Sequence, residues 1–293
     1  MDADETVGFI GLGAMGFGMA LNLKNHGFDV VGLDIDTSAM ARFRESGGRT
    51  AGTLAEIGSI SNTVMIMVVN GAQVEAVLNP VDGLLSTMQS GVVMVHATIA
   101  LSELRPVAEV ALAHGVTVID CPVSGGITGA NAGSLTILAG GDEHAFASRR
   151  PLLEAVASNI THLGPLGAGM VGKLANNLIL GVGRLAIGEA FAMARRAGIS
   201  TEELYRTLLT CTADSRQLRG LEAVILRGEY PDATFLGLKD LSAAVDSGRT
   251  VGQAMPVTGL TRELYQLIDD KLGGLSGSDQ VMRYFLEVDG DSG

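Results

Sequence analysis

The chain has 293 residues, and this length predicts about two domains of ordinary size. Apolar residues make up 47% of the chain and glycine contributes 40 residues, a composition typical of an α/β protein with many tight turns. The net charge of −12 disfavours nucleic acid and anionic membrane surfaces as partners. An anionic small-molecule substrate is still compatible with this charge, since it needs only a local positive pocket.

The two cysteines, Cys121 and Cys211, have neither metal-site nor disulfide-framework spacing. We therefore expect reduced thiols, a cytoplasmic protein and no bound metal. The acidic N-terminal residues lack the basic and then apolar layout of a signal peptide. Residues 121–141 carry no charge, but proline, serine and several glycines interrupt them, so we predict no transmembrane helix there.

Short apolar strands alternate with helices in the first half of the chain. The predicted strands are residues 7–10, 29–33, 63–69, 92–95, 116–119 and 135–139. The predicted helices are residues 14–25, 38–45, 72–78 and 102–114. This alternation indicates right-handed βαβ units and a mostly parallel sheet.

The pattern changes after about residue 162, beyond which no convincing strand is found. Helices are predicted over residues 170–197, 201–209, 216–226, 236–248 and 257–271. The sequence therefore predicts a dinucleotide-binding α/β domain over 1–163 and an all-α domain over 164–293. The first of these helices is mostly apolar, which suggests burial against another subunit in a homodimer or homotetramer.

A glycine-rich turn follows the first predicted strand and opens the first predicted helix. It comprises Gly11, Leu12, Gly13, Ala14, Met15 and Gly16. In this G-x-G-x-x-G context the first glycine permits a tight turn, the second admits a pyrophosphate and the third allows close packing of helix on strand. The helix N-terminus then faces the phosphates. The pattern predicts a dinucleotide site.

Asp34 ends the second predicted strand, about 20 residues after the glycines, where the adenosine ribose of a dinucleotide lies. A carboxylate there accepts hydrogen bonds from ribose hydroxyls and repels a 2′-phosphate, so NAD is favoured over NADP. Asp34 could instead cap the next helix, although Asp36 suits that role better. Arg42 and Arg44 follow closely and leave NADP open.

Other candidate residues occur after later strands and in the helical half. Lys173 and Asn177 are four residues apart, so they share one face of a helix. Lys173 could instead be an exposed helix lysine, and Asn177 could instead form a buried hydrogen bond between helices. A lysine beside a nicotinamide can exchange a proton with a hydroxyl or carbonyl group. Ser124, with the glycines that follow it, offers a hydroxyl and open N–H groups for a carboxylate. Lys239 could reach a cofactor, or Asp240 could orient a partner; a solvated Lys-Asp pair is the simpler alternative.

The order of four motifs resembles the β-hydroxyacid dehydrogenase family over almost the whole chain. They lie at residues 8–16, 120–126, 167–177 and 235–240. The resemblance implies a Rossmann-type domain, an all-α C-terminal domain and an active site in the cleft between them. It further implies roles for individual residues: catalysis by Lys173, with assistance from Asn177; substrate binding by Ser124, Gly125 and Gly126; and cofactor contacts from Thr98 and Lys239.

Some positions depart from the family pattern, notably Ala97 after His96, Cys121, and Arg216 where a tryptophan often stands. Arg216 raises the hypothesis of a polar substrate such as a sugar acid, although an exposed helix-starting arginine explains it equally well. We expect His96 to be structural or exposed. Two other functions are considered: an imine-type reductase, which usually lacks the lysine, and a non-catalytic dinucleotide-binding module.

Overall fold

The computed structural model describes residues 5–230, 237–274 and 278–288. These residues form two compact units that divide between Lys173 and Leu174. The division falls ten residues after the boundary expected from the sequence, and these ten are the last residue of a strand, a short loop and the first six residues of a long helix.

The first unit contains a sheet of nine strands and the helices that connect them. The strands are β1 Thr6–Ile10, β2 Asp29–Leu33, β3 Arg49–Thr50, β4 Thr63–Ile66, β5 Gly91–Val95, β6 Val116–Asp120, β7 Val123–Ser124, β8 Leu135–Gly140 and β9 Ala157–Gly164. The helices are α1 Gly16–Asn25, α2 Thr37–Glu45, α3 Leu54–Ile60, α4 Gly71–Leu78, α5 Leu101–Ala113, α6 Gly126–Ala132 and α7 Glu143–Glu154. The long helix α8, Ala168–Arg196, begins in this unit.

The strand order is β3-β2-β1-β4-β5-β6-β8-β7, with β9 paired to β8. The first six strands of this order are parallel, whereas β8 runs antiparallel to β6 and β7. This is the doubly wound order in which ligands bind at the carboxyl ends of the strands, where the order reverses between β1 and β4. The predicted α/β fold with a Rossmann-type sheet is therefore confirmed.

Two apolar cores cover the faces of this sheet. Phe9, Met19 and Leu23 are fully buried in one of them, and Ile57, Val64 and Leu84 are fully buried in the other. Burial of each such side chain contributes about 1.5–3 kcal/mol. The strands are apolar on both faces for this reason.

The sequence pattern did not predict several elements of the first unit. They are β3, α3, β7, α6, α7 and β9. They are short or polar, and β9 alternates buried with exposed residues only weakly. The strand predicted over 63–69 ends at Ile66, since the chain leaves the sheet after its last pair with β5.

The described residues of the second unit form helices and the loops that connect them, with no strand. It contains most of α8 together with α9 Thr201–Leu208, α10 Arg216–Gly220, α11 Glu222–Arg227, α12 Gly237–Thr250, α13 Pro256–Leu272 and α14 Val281–Arg283, the last followed by a π-turn. The single helix predicted over 216–226 is broken at Leu221. Phe191 of α8 packs with α9–α11, and Leu185 of α8 packs with α12 and α13.

Much of α8 is apolar yet exposed in the single chain. Ile179 and Met193 are 67% and 70% exposed. Among the described residues, α8 is the only helix long and apolar enough to cross a membrane, with 28% of its most apolar window buried. One such helix is weak evidence for a membrane span, because core and interface helices have the same composition.

Candidate active site

The three glycines of the turn after β1 differ in what an added side chain would meet. Gly11 has a φ of +94°, and a Cβ there would lie 2.2 Å from the carbonyl oxygen of Met67. A Cβ at Gly16 would lie 1.8 Å from the carbonyl oxygen of Gly11. A Cβ at Gly13 would meet no atom within 4 Å. The outer glycines are therefore needed by the fold, whereas Gly13 borders open space that a ligand can fill.

The other residues of this turn have distinct surroundings. Leu12 is fully buried in the core, Ala14 is exposed and Met15 is half-buried. No side chain caps the N-terminus of α1, which begins at Gly16. The turn therefore presents backbone and the end of a helix dipole, the features that suit a pyrophosphate.

Asp34, just after β2, connects the glycine turn to the next loop. Its Oδ2 accepts a hydrogen bond from the Leu12 N–H at 2.6 Å, and its Oδ1 accepts one from the Asp36 N–H at 2.8 Å. Asp36 caps α2 by accepting from the Ser38 N–H at 2.8 Å. Capping is thus the task of Asp36, and Asp34 is placed beside the glycine turn.

A cavity of about 590 Å³ opens at this end of the sheet. It is lined mainly by apolar side chains together with Gly11, Gly13 and Asp34. Its size and its single carboxylate fit the adenosine end of a dinucleotide. Arg42 lies over the Phe17 ring at 5.2 Å, and Arg44 Nη1 donates to Thr50 Oγ1 at 3.3 Å.

His96 is buried immediately after β5. Its Nδ1 lies 2.8 Å from the carbonyl oxygen of Cys121, and because a carbonyl only accepts, this nitrogen carries the proton. Burial lowers the pKa of His96 to about 4, so the ring is neutral at ordinary pH. The interpretation of His96 as structural agrees with these contacts. Thr98 follows two residues later, half-exposed at the carboxyl end of β5.

Asp120, at the end of β6, holds the start of α8. It is fully buried; its Oδ1 accepts from the Gly167 N–H and its Oδ2 from the Met170 N–H, each at 2.7 Å. A Cβ at Gly140 or Gly169 would lie within 2.8 Å of the carboxylate, so these glycines let the backbones close around it. Burial raises the pKa of Asp120, and the backbone hydrogen bonds oppose this shift.

The clamp formed by Asp120 was not found from the sequence. An aspartate at the end of an apolar strand is the available signal, but the two N–H groups that it accepts from are 47 and 50 residues away. The clamp fixes the first turn of α8, and Lys173 lies one turn further along the same helix. The Lys173 side chain is half-buried.

The loop after β7 places Ser124, Gly125 and Gly126 together. Ser124 pairs with Thr136 of β8, which holds its backbone in the sheet. Gly125 and Gly126 have φ values of +129° and +62°, both in the region that disfavours a side chain. Both glycines are exposed, beside the half-exposed serine.

In the second unit, Asn177 belongs to a polar network with Asp240. Its Nδ2 donates to Asp240 Oδ2 at 2.6 Å, and its Oδ1 accepts from Asn176 Nδ2 at 2.9 Å. Lys239 Nζ lies 2.9 Å from Asp240 Oδ1. The second unit therefore joins the predicted substrate residue Asn177 to the predicted cofactor residue Lys239 through one carboxylate.

The remaining predictions concern Arg216, the start of the fourth motif and metal binding. Arg216 is exposed at the first turn of α10, whose N-cap is Ser215. Phe235 and Leu236 of the fourth motif lie outside the described residues. In the described part of the chain, no group of three histidine, cysteine or acidic side chains could hold a metal ion.

Comparison with known proteins assigns both halves of the chain to described families. Residues 6–164 match the NAD binding domain of 6-phosphogluconate dehydrogenase. Residues 167–285 match the family described as NAD-binding of NADP-dependent 3-hydroxyisobutyrate dehydrogenase. Together the two matches span nearly the whole chain.

Similar proteins of full length carry related names. A probable mitochondrial 3-hydroxyisobutyrate dehydrogenase of Dictyostelium discoideum is 33% identical, over 93% of this chain and 88% of that protein. An L-threonate dehydrogenase of Cupriavidus necator is 31% identical, over 97% of both chains. These similarities cover both units.

Solved structures agree with the sequence matches. The 3-hydroxyisobutyrate dehydrogenase of Mycobacterium tuberculosis, solved with L-serine, superimposes with a TM-score of 0.88 at 28% identity. That match covers 96% of this chain and 99% of the other. An imine reductase of Bacillus cereus superimposes with a TM-score of 0.65 at 21% identity, over 98% of this chain and all of the other, which shows a shared fold alone. This chain belongs to the β-hydroxyacid dehydrogenase family and is an NAD(P)-dependent hydroxyacid dehydrogenase.

Proposed function

We propose that Lys173 is the general acid and base in the reversible oxidation of a small, polar hydroxy acid. The observation that carries this proposal is the position of Lys173 on α8. One turn before it, Asp120 fixes the backbone through two hydrogen bonds. One turn after it, Asp240 fixes the side chain of Asn177. A lysine between two such anchors is held in place for proton transfer.

The chemistry divides between the cofactor and this lysine. A bound nicotinamide supplies the acceptor or the donor of the hydride at the carbinol carbon. In oxidation, the neutral amine of Lys173 takes the hydroxyl proton as the carbonyl forms. In reduction, its ammonium group returns a proton to the carbonyl oxygen. General acid–base catalysis of this kind contributes about 10²–10⁴-fold to the rate.

Substrate binding falls to Ser124, Gly125, Gly126 and Asn177. The serine hydroxyl and the N–H groups of the exposed glycines suit a carboxylate, and the Asn177 amide suits a hydroxyl. Similar proteins named for L-threonate, and one solved with L-serine, support a small acid with further polar groups. An exposed Arg216 is compatible with such a substrate.

NAD is the proposed cofactor, with Thr98 and Lys239 as further cofactor contacts. Support comes from Asp34, whose carboxylate lines the cavity at the adenosine end. The nearby arginines are already engaged, Arg42 with an aromatic ring and Arg44 with a threonine. A 2′-phosphate at this end of the cavity would therefore be repelled by the Asp34 carboxylate, while Arg42 and Arg44 are engaged elsewhere.

A homodimer or homotetramer in the cytoplasm is the proposed assembly, with no nucleic acid or membrane partner. The exposed apolar residues of α8, such as Ile179 and Met193, support contact with a second copy. Arg184, in the middle of this helix, forms an ion pair with Asp279 at 2.7 Å, and such charged groups are costly within a lipid bilayer. The exposed thiol of Cys211 fits a reducing compartment.

The first test compares Lys173→Ala with the control Arg206→Ala, which removes one positive charge from the surface of α9. Lys173→Ala is expected to lower kcat by about 10²–10⁴-fold while the Kd for NADH stays unchanged. The control is expected to keep both values. Retention of most of the activity by Lys173→Ala would overturn the catalytic assignment.

The second test is a substrate panel of hydroxy acids, aldehyde acids and cyclic imines, each assayed with NAD(H) and NADP(H). Turnover of a polar hydroxy acid with a lower KM for NAD is expected. Reduction of imines alone would favour an imine reductase, and tight NAD binding without turnover would favour a non-catalytic module. Preference for NADP would contradict the role given to Asp34.

A further inference from the structure

Asp240 lies between two side chains that come from different parts of the second unit. Its Oδ2 accepts from Asn177 on α8 at 2.6 Å, and its Oδ1 lies 2.9 Å from Lys239 Nζ on its own helix, α12. The carboxylate is 12% exposed and the lysine 25% exposed. Interactions of a charged group are stronger in such partial burial than at an open surface.

The contact with Asp240 determines which way the Asn177 amide faces. A carboxylate only accepts hydrogen bonds, so the Nδ2 group and not the oxygen must point toward it. Asn176 donates to the Oδ1 of Asn177 at 2.9 Å from the other side, which favours the same orientation. One N–H of Nδ2 and one lone pair of Oδ1 are then left for a ligand, in fixed directions.

The same carboxylate restrains Lys239. This lysine also lines a cavity of about 400 Å³ in the second unit, together with Ser242 and with Arg262, which is paired to Glu263. An anion that enters this cavity would compete with Asp240 for the ammonium group. The ion pair therefore weakens anion binding at Lys239 while it holds the lysine in place.

We propose that Asp240 is a positioning residue that orients the Asn177 amide toward substrate and competes with the cofactor for the ammonium group of Lys239. This inference rests on the proposed function, because it takes Asn177 and Lys239 as ligand-binding residues. Asp240 itself touches neither ligand. Its effect on turnover passes through Asn177, and its effect on cofactor affinity passes through Lys239.

Two variants separate these effects. Asp240→Asn keeps an oxygen that can accept from Asn177 but removes the charge beside Lys239. It is expected to leave the KM for the hydroxy acid within about threefold of wild type, and to lower the Kd for NADH because the charge that competes for Lys239 is gone. Asp240→Leu removes both contacts at similar volume, and is expected to raise that KM about tenfold and to lower kcat.

A matched control is Asp270→Asn on α13, where an exposed carboxylate accepts from the Gln266 amide at 2.9 Å. It is expected to behave as wild type. Asn177→Ala supplies the second side of a double-mutant cycle. If Asp240 acts through Asn177, the double variant Asn177→Ala/Asp240→Leu loses no more turnover than Asn177→Ala alone.

The outcomes separate this inference from the proposed function. Loss of turnover in Lys173→Ala and Asn177→Ala, with normal kinetics in both Asp240 variants, would overturn only the role of Asp240. Normal turnover in Lys173→Ala and Asn177→Ala would overturn the proposed function first. Unchanged or weaker NADH binding in Asp240→Asn would overturn the link between Asp240 and Lys239, and additive losses in the double variant would overturn the link between Asp240 and Asn177.

Discussion

The two units of this enzyme build their parts of the site in different ways. In the first unit, the glycine turn and the loop after β7 present backbone groups, and at all of their glycines except Gly13 a side chain would collide or adopt an unfavourable φ. In the second unit, the Asn177, Asp240 and Lys239 network is made of side chains from two helices. Backbone sites follow from local sequence, whereas side-chain networks require the packing of distant segments.

This difference has consequences for how each part fails. A backbone site is lost when a side chain fills its space, even if no contact is removed. A side-chain network loses its function gradually, because a conservative substitution can keep part of it. Asp120 combines the two, since a side chain there holds backbone N–H groups.

The largest effect is expected at Asp120. Asp120→Ala leaves two buried N–H groups without an acceptor, at about 2 kcal/mol each, so a loss of about 4 kcal/mol in the free energy of unfolding is expected. Asp120→Asn keeps one acceptor and is expected to lose about half of that. Urea unfolding measures both variants.

Turnover distinguishes the clamp from a general stabilising role. In the folded fraction of Asp120→Asn, kcat is expected to fall while the KM for NAD is unchanged, because Lys173 rather than the glycine turn is displaced. Equal changes in kcat and in the KM for NAD would contradict this link between Asp120 and Lys173.

The next effect concerns acid stability and His96. The pKa of its ring falls from 6.5 to about 4 on folding, so the unfolded chain takes up a proton in this range while the native state does not. The contribution of His96 to the free energy of unfolding is therefore fully present above pH 6.5, and the free energy of unfolding decreases by about 3 kcal/mol as the pH falls to 4. An asparagine side chain at position 96 can also donate a hydrogen bond to the carbonyl oxygen of Cys121, and it does not titrate.

The free energy of unfolding of His96→Asn is therefore expected to fall by about 3 kcal/mol less than that of wild type between pH 6.5 and 4. Unfolding in urea at a series of pH values measures it. His26→Asn, at an exposed position of the same unit, serves as the control and should follow wild type. Parallel curves for wild type and His96→Asn would show that another group causes the acid sensitivity.

The smallest change in stability, and the most selective change in binding, is expected at Gly13. A side chain there meets no protein atom, so Gly13→Val should keep the wild-type Tm but weaken NADH binding by at least about tenfold, since it fills ligand space. Gly16→Ala should lower the Tm, because its Cβ would collide with a carbonyl. Thermal unfolding and NADH titration check both, with Gly220→Ala as the control. A lower Tm for Gly13→Val would contradict the prediction that a side chain at this position meets only space open to a ligand.

The strongly patterned parts of the fold were predictable, and the reason is physical. Strands β1, β2, β4, β5, β6 and β8 are apolar because both faces of a parallel sheet are covered. Elements such as β9 and α7 lack that pattern, because β9 alternates weakly and α7 is largely polar outside its buried positions. Their existence depends on the neighbours that pack against them.

The sequence by itself determined the order of the motifs, the spacing of Lys173 and Asn177, and the glycines that a dinucleotide requires. These features are local: each depends on φ, on side-chain size or on helical periodicity within a few residues. Only the tertiary structure decided what holds them. The clamp of Asp120 on α8 and the contact of Asp240 with Asn177 join residues 47–63 positions apart, and no local preference specifies such pairs.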